Sequence, residues 1–193
     1  MKLLIKKLFP TLVFAILLSG CNPAILQYQL DPEITHLDQL PEETKIVALK
    51  VVDARVAHES NENNQNIVTG PTDEIKVIEK KLTDFLKQAG YKIISKPLLA
   101  DLSFEIEINT LQLSLESSTF KSTIGGKSEI KLTVNKRGEQ WSKIFRATRE
   151  QEVANPVNDL DVTGVVNQML TKQFSSMFSD QSLKDFFSKN NNL

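Results

Sequence analysis

A run of alternating apolar residues between Leu102 and Leu115 constrains the fold more than any other part of the sequence. Its apolar members are Leu102, Phe104, Ile106 and Ile108, followed by Leu111, Leu113 and Leu115. A spacing of two predicts a β-strand with one face on a hydrophobic core. The apolar residues change from even to odd positions, and a slip of one residue would turn the core face outward. We therefore expect one long strand with a β-bulge or sharp bend near Asn109-Thr110.

Before this run, the sequence predicts a strand, a helix and a second, short strand. Residues 45–53 are apolar on both faces apart from Lys50, which is typical of a strand in the middle of a sheet or beneath a covering helix. Residues 73–89 carry apolar side chains at helical spacing, and Gly90 follows at the position that ends the helix. Residues 91–94 then resume as a short strand.

After the run, the sequence predicts hairpins and then helices. Gly125-Gly126 predicts a turn, and Asn135 to Gly138 has the composition of a β-hairpin turn between alternating segments. Asn158 or Asp159 can cap a second helix, and Ser182 begins a short terminal helix. This order predicts an α+β fold, a single domain with a mostly antiparallel β-sheet and helices packed on one face.

The first twenty-one residues have the features of a secretory signal. Three lysines precede an apolar run from Leu8 to Leu18, which is shorter than the roughly 20 residues that span a bilayer. Leu18-Ser19-Gly20-Cys21 then resembles the bacterial lipobox. In that class the cysteine thiol receives a diacylglycerol, the signal is cleaved before the cysteine, and the new amino terminus is acylated, for example with palmitate. The alternative is an ordinary signal peptide with a chance cysteine at its end.

The lipobox resemblance divides the chain into three parts. Residues 1–20 are the cleaved signal peptide, and Cys21, the one cysteine of the chain, is the lipid attachment residue. Residues 21–43 contain three prolines and no sustained period, so we expect a tether, although residues 25–30 could dock as an edge strand. Residues 44–193 are expected to form the periplasmic α+β domain.

The residue after the cysteine bears on location. By resemblance to enterobacterial lipoproteins, a residue other than aspartate here, Asn22 in this chain, favours transfer to the outer membrane of a Gram-negative cell, facing the periplasm. Retention in the inner membrane is the alternative. From residue 21 onward the chain has 20 basic and 24 acidic side chains, a formal charge of −4. We expect no nucleic-acid partner, because that function needs a basic face.

The sequence contains no credible catalytic, cofactor or metal motif. Gly125-Gly126-Lys127-Ser128 lacks the upstream glycine of a phosphate-binding loop. His58-Glu59 lacks the second histidine of a metalloprotease motif, because position 62 is a glutamate, and His36 is distant. We therefore predict no enzyme activity, no cofactor and no bound metal. A periplasmic hydrolase that uses scattered carboxylates and histidines is an alternative without a motif.

Asp53 and Arg55 are the candidate site residues. They stand at the end of the predicted central strand, next to a long polar loop. The pair either closes the strand, as an ion pair or through a turn-forming side chain, or contacts a ligand. We favour the structural role.

The chain as a whole resembles the YajG-type lipoproteins. The resemblance covers nearly the whole length and is carried by the lipobox, the proline-containing segment, Val51-Val52-Asp53-Ala54-Arg55, Asn66-Ile67-Val68 before a helix, Gly90-Tyr91, the long strand and the terminal helices. It implies a small envelope lipoprotein and brings no catalytic residues. The expected function is a non-catalytic binding or structural module that meets another envelope protein or the cell wall. The alternative is an accessory subunit of an envelope transport or assembly complex.

Overall fold

The computed structural model describes residues 25–34, 45–55 and 68–189. Its strands are β1 (Leu26–Gln27), β2 (Ile46–Asp53), β3 (Val68–Thr69), β4 (Lys92–Ile94), β5 (Leu102–Ser117), β6 (Lys121–Lys136) and β7 (Glu139–Ala154). Its α-helices are α1 (Glu74–Gln88), α2 (Asp159–Phe178) and α3 (Gln181–Lys189), and a 3₁₀ turn covers Pro97–Leu99. The predicted signal peptide, Cys21, Asn22 and both histidines lie outside the described ranges.

Five strands form one mixed sheet. Their order is β4-β2-β5-β6-β7, while β1 and β3 pair separately in parallel. β4, β2 and β5 run parallel, and the three long strands β5, β6 and β7 form an antiparallel meander. The predicted α+β class and single domain are confirmed. The sheet is not antiparallel throughout, because α1 returns the chain from β2 to β4 as a crossover connection, and such connections join parallel strands.

The long strand contains the predicted bulge. Even-numbered residues of β5 face the core as far as Ile108, and the pairing register with β6 shifts between Ile108 and Thr110. After the shift Leu111 faces the core, so odd-numbered residues take over. The extra residue, Asn109, therefore keeps both halves of the apolar pattern on the same face of the sheet.

The helices cover one face of this sheet. α1 buries Ile78, Leu82 and Leu86, and α2 buries Val162, Val165, Val166, Met169, Leu170, Phe174 and Met177. The ring of Phe178 on α2 lies 5.7 Å from that of Phe85 on α1 and 6.4 Å from that of Phe104 on β5. These contacts join both helices and the sheet in one core.

The opposite face of the sheet carries paired charges. Three oppositely charged pairs stand directly across neighbouring strands: Lys50 with Glu105, Glu107 with Lys131, and Glu129 with Arg146. Each pair forms an ion pair, with nitrogen–oxygen distances of 2.5, 2.9 and 2.7 Å. Opposite charges directly across neighbouring strands are stabilising, so these pairs help to hold the strands together on this face.

The predicted turn at Gly125-Gly126 is wrong. Both glycines lie inside β6, and the turn that precedes β6 falls between Ser117 and Lys121. A Cβ atom at Gly126 would lie 3.0 Å from Sδ of Met169 on α2. Helix and sheet therefore approach closely here, and a side chain at this position would require Met169 to shift.

The second predicted hairpin is confirmed. β6 and β7 are joined by Arg137 and Gly138, whose φ angles are 51° and 87°. Two residues with positive φ match the right-handed twist of the flanking strands. Glycine at the second position adopts this conformation without strain.

Both C-terminal helices have side-chain caps. Asn158 accepts hydrogen bonds from the N–H groups of Leu160 and Asp161, and its own N–H donates to Asp161, which forms the capping box of α2. The terminal helix begins earlier than Ser182. Its cap is Asp180, whose Oδ1 accepts from the N–H groups of Ser182 and Leu183 at 3.0 and 3.2 Å.

Candidate functional site

Asp53 and Arg55 belong to a polar cluster that also contains Glu74 and Tyr28; we call these four residues the Arg55 cluster. Asp53 ends β2, Glu74 is the first residue of α1, and Tyr28 follows β1. The Arg55 guanidinium donates to both carboxylate oxygens of Asp53, with Nε–Oδ1 and Nη2–Oδ2 distances of 2.8 Å. Its Nη1 donates to Oε2 of Glu74, and the Tyr28 hydroxyl donates to Oε1 of Glu74. One guanidinium thus bridges two carboxylates from different elements.

The Arg55 cluster extends from the surface into the domain. The side chains of Asp53, Arg55 and Glu74 are 43%, 28% and 10% exposed, and Tyr28 is buried. The carboxylate of Glu74 therefore has little contact with water. A charge in that position needs a charged partner, which Arg55 supplies.

Gly70 closes the inner side of the cluster. A Cβ atom at this position would lie 2.0 Å from Oε1 of Glu74 and 2.4 Å from the Tyr28 hydroxyl. Any side chain would have to displace this hydrogen bond. Gly70 directly follows β3, so the cluster also fixes the position of the strand that pairs with β1.

Within the Arg55 cluster, Asp53 and Arg55 favour each other's ionised forms. Hydrogen bonds from Arg55 keep the pKa of the Asp53 carboxyl below its ordinary value. The hydrogen bond to Asp53, together with Glu74, raises the pKa of the Arg55 guanidinium above its ordinary value. Burial and the hydrogen bond to Glu74 raise the pKa of the Tyr28 hydroxyl. None of these three shifts brings a group closer to titrating near neutral pH, as an acid or base catalyst would need.

Tyr28 is part of residues 25–34, which we call the docked segment because it lies along α2. Its side chains alternate, with Leu26, Tyr28, Leu30 and Pro32 buried and the residues between them exposed. The N–H groups of alternate residues donate to side chains one helical turn apart: Gln27 to Asp159, Gln29 to Thr163, Asp31 to Asn167 and Glu33 to Thr171. The nitrogen–oxygen distances are 2.9, 3.2, 2.8 and 2.9 Å.

The spacing of residues in the docked segment and in α2 explains this series of four hydrogen bonds. Four residues of an α-helix advance about 6.0 Å, and two residues of an extended chain advance about 6.6 Å. The backbone donors and side-chain acceptors therefore stay nearly aligned over all four hydrogen bonds. Asn167 adds a return bond, because its Nδ2 donates to the carbonyl of Gln29 at 3.0 Å.

The docked segment falls within residues 21–43, where we expected a tether. The structure instead places residues 25–34 on the domain, and β1 pairs with β3 as the edge-strand alternative requires. The apolar alternation of Leu26, Tyr28 and Leu30 was the signal for it. Its hydrogen-bond partners on α2 lie more than 130 residues further along the chain, so no local pattern could reveal them.

A cavity of about 360 Å³ opens between the end of the docked segment and α1. It is lined by Asp31, Pro32, Glu33 and Ile34 on one side and by Lys81, Asp84, Phe85 and Gln88 on the other. An ion pair between Lys81 and Asp31 joins the two sides. Across the described ranges, no group of three His, Cys, Asp or Glu side chains is placed to hold a metal ion.

The sequence and the structure agree on the local part of the site only. Asp53 and Arg55 were paired from the sequence, and the structure brings them together. Glu74 and Tyr28 were missed, because Glu74 also suits the first turn of a helix and Tyr28 fell in the expected tether. Cys21, the predicted lipid attachment residue, lies outside the described part of the chain.

The fold and the docked segment define a class of protein: a single α+β domain whose N-terminal segment is hydrogen-bonded to polar side chains of a C-terminal helix. Comparison with known proteins gives the family. Residues 32–188 match the family described as uncharacterized lipoprotein, so the chain belongs to this family of bacterial lipoproteins. In the part of the chain that the structure describes, no helix is long and apolar enough to span a membrane.

Relatives support the same assignment. The chain is similar to the uncharacterized lipoprotein YajG of Escherichia coli strain K12, with 23% identity over 191 residues, 96% of this chain and 97% of the relative. YajG of Escherichia coli O6:H1 matches to the same extent. The resemblance to YajG-type lipoproteins is confirmed. Among solved structures, protein XCC0632 from Xanthomonas campestris has a TM-score of 0.54 at 11% identity, over 84% of this chain and 98% of that chain, which shows a shared fold.

Proposed function

We propose that this bacterial lipoprotein is anchored in the outer membrane through Cys21, faces the periplasm, and acts as a non-catalytic binding or structural module. The observation that carries the proposal is the position of the docked segment. It begins four residues after Cys21 and is bound to α2 along its length. A pull on the anchor is therefore transmitted directly to the core of the domain.

The anchor itself follows the chemistry of the lipoprotein class. Cys21 Sγ would carry a diacylglycerol, and the α-amino group exposed by cleavage would carry a further acyl chain such as palmitate. A single acyl chain gives only marginal membrane binding, and each buried CH₂ group contributes about 0.8 kcal/mol. Three chains on one residue would hold the protein stably. Asn22 supports sorting to the outer membrane, with inner-membrane retention as the alternative.

The Arg55 cluster supports a non-catalytic role. Arg55 uses Nε, Nη1 and Nη2 on carboxylates, and both oxygens of Glu74 accept hydrogen bonds within the cluster. The groups that could bind a ligand are thus engaged with each other. We assign Asp53 and Arg55 a structural role: they join the end of β2 to α1 and, through Glu74, to the docked segment.

A second candidate function is an accessory subunit of an envelope transport or assembly complex. The observation that favours it is the outer edge of β7. This strand has sixteen residues and, in the described part of the chain, pairs with β6 alone. The carbonyl of Phe145 in β7 accepts a hydrogen bond from Nε2 of Gln173 on α2, and the rest of such an edge can accept a strand from a partner protein through backbone hydrogen bonds.

Fractionation of a Gram-negative host tests the location. Wild type, Cys21→Ser and Asn22→Asp would be expressed at equal levels, and inner and outer membranes separated on a density gradient. We expect wild type in the outer-membrane fraction, Cys21→Ser absent from it, and Asn22→Asp shifted to the inner membrane. Wild type in the periplasmic fraction would contradict the proposal.

Photo-crosslinking separates the two candidate functions. A photoreactive residue would replace Thr148, which lies in the middle of β7, with Ser103 on β5 as the control inside the sheet. Stoichiometric capture of transport or assembly subunits at position 148, and not at 103, would favour the accessory subunit. Capture of peptidoglycan, or of no protein, would favour the independent module.

A further inference from the structure

Three large apolar side chains are exposed near the start of the docked segment. Phe120 is 86% exposed, Leu160 is 80% exposed and Ile25 is 59% exposed. Phe120 lies in the turn between β5 and β6, Leu160 in the first turn of α2, and Ile25 directly before β1. We call these three residues the anchor-side patch.

Hydrogen bonds place the anchor-side patch at one end of the domain. The N–H of Asn155 donates to the carbonyl of Phe120, and Nδ2 of Asn155 donates to the carbonyl of Ser118 at 2.6 Å. Asn155 stands only three residues before Asn158, the cap of α2. The first hydrogen bond between the docked segment and α2 joins Gln27 to Asp159, so Ile25 lies at the same end of the domain.

The length of chain between anchor and patch is short. Ile25 follows Cys21 by four residues, and an extended chain advances at most about 3.6 Å per residue, so the two are separated by at most about 14 Å. β6 alone has sixteen residues and spans about 50 Å. A lipid on Cys21 would therefore bring this end of the sheet, and not the other end, to the membrane surface.

We propose that the anchor-side patch inserts into the interface of the bilayer, so that the lipidated domain rests on the membrane through the β5–β6 turn and the start of α2. This inference rests on the proposed function, because it requires lipid on Cys21. Phenylalanine and leucine are side chains that surface-bound segments bury at the boundary between headgroups and acyl chains. The β6–β7 turn then points into the periplasm.

The charges beside the anchor-side patch favour apolar contact over electrostatic attraction. Lys121, next to Phe120, forms an ion pair with Glu152. Asp159, next to Leu160, accepts the hydrogen bond from Gln27. No excess of positive charge surrounds the patch among these neighbours, so binding should not require anionic lipid.

Tryptophan fluorescence can test this orientation. Trp141, the one tryptophan of the chain, pairs with Val134 close to the β6–β7 turn and so reports on the far end. Mature protein purified from a Gram-negative host would be reconstituted in phosphatidylcholine vesicles with and without brominated acyl chains, which quench tryptophan on contact. The reporter variant is Phe120→Trp in a Trp141→Phe background.

The chain offers a matched control. Leu98 is fully exposed and lies shortly before β5, whose first residue, Leu102, pairs with Lys136 at the far end of β6. Leu98→Trp in the same background therefore places an equally exposed reporter at the opposite end. Circular dichroism melts of all three proteins would establish that each is folded.

We expect brominated lipid to quench Phe120→Trp at least about twofold, because its side chain reaches the acyl-chain boundary. Wild-type Trp141 and Leu98→Trp should be unaffected. Equal quenching of Phe120→Trp and Leu98→Trp would overturn the proposal. So would a Phe120→Trp signal that is shielded from aqueous iodide but not quenched by brominated lipid, which would assign the patch to a second copy of the chain.

Vesicle flotation on the same samples separates the inference from the anchor. Protein that floats with vesicles while Phe120→Trp stays unquenched would contradict the orientation and leave the lipid anchor in place. Protein that does not float would contradict the anchor, and the inference with it. Flotation with selective quenching of Phe120→Trp supports both.

Discussion

Replacing Arg55 by methionine should destabilise the domain far more than the loss of an ordinary surface ion pair. The substitution keeps an apolar stem of similar length but removes the guanidinium that bridges Asp53 and Glu74. Glu74 is then left with the Tyr28 hydroxyl as its remaining cluster partner, at a position where its side chain is 10% exposed. The carboxylate would then lack its charged partner at a position with little solvation.

The burial of the pair sets the magnitude. Breaking a fully buried ion pair costs about 3–5 kcal/mol, whereas an exposed pair contributes about 0–1 kcal/mol. Arg55 is 28% exposed and Glu74 10% exposed, so we place the loss between these limits, at about 2–3 kcal/mol. Lys80→Met is the matched control, because the Lys80–Asp84 ion pair is highly exposed on the same helix. Its loss should leave the free energy of unfolding nearly unchanged, because a solvent-exposed ion pair contributes little.

Equilibrium urea unfolding of a chain that begins at Asn22, followed by circular dichroism, would measure both losses. A double-mutant cycle with Glu74→Gln would isolate the coupling, which we expect at about 1–2 kcal/mol, because contacting charged residues are not additive. If Arg55→Met and Lys80→Met lowered the free energy of unfolding equally, the cluster would be an ordinary surface feature and the reasoning would be refuted.

Three further predictions address pH, packing and the docked segment. The pKa of Asp53 is lower in the folded state, so its contribution to the free energy of unfolding is present above the unfolded pKa near 4 and is lost as pH falls through the folded pKa. In urea titrations, Asp53→Asn should therefore lose less stability than wild type between pH 5 and pH 2. In the same assay Gly126→Val should cost about 1–3 kcal/mol, because the new side chain pushes α2 from the sheet. Gly164→Ala should stabilise the domain by about 0.5–1 kcal/mol, because its new Cβ meets nothing within 4 Å. Similar values for the two variants would contradict the close approach at Gly126. Asn167→Ala should speed amide hydrogen exchange in the docked segment, because two hydrogen bonds are lost, whereas Gln168→Ala on the exposed face of the same helix should not.

Local patterns predicted the elements of this fold well. The change of phase in β5 predicted a bulge because strand periodicity and the core face are fixed by neighbouring residues, and the register shift lies where the pattern changes. The Arg137-Gly138 hairpin followed from turn chemistry for the same reason. The turn predicted at Gly125-Gly126 was wrong because a pair of glycines indicates either a turn or the close approach of another element. Only the position of α2 decides between them.

Only part of the candidate site could be predicted from the sequence. Asp53 and Arg55 are two residues apart, so their contact could be inferred from the end of a strand. Glu74 joins them from a different element, and Tyr28 from a segment held by a helix more than 130 residues away. Contacts of that kind depend on how elements pack, which no local pattern encodes.

The most direct test of the lipoprotein account is the intact mass of the mature protein purified from a Gram-negative host. We predict a chain that begins at Cys21 and carries the mass of a diacylglyceryl group and one further acyl chain, and we predict that Cys21→Ser carries neither. A wild-type mass equal to that of an unmodified chain, with Cys21 as a free thiol, would contradict the account.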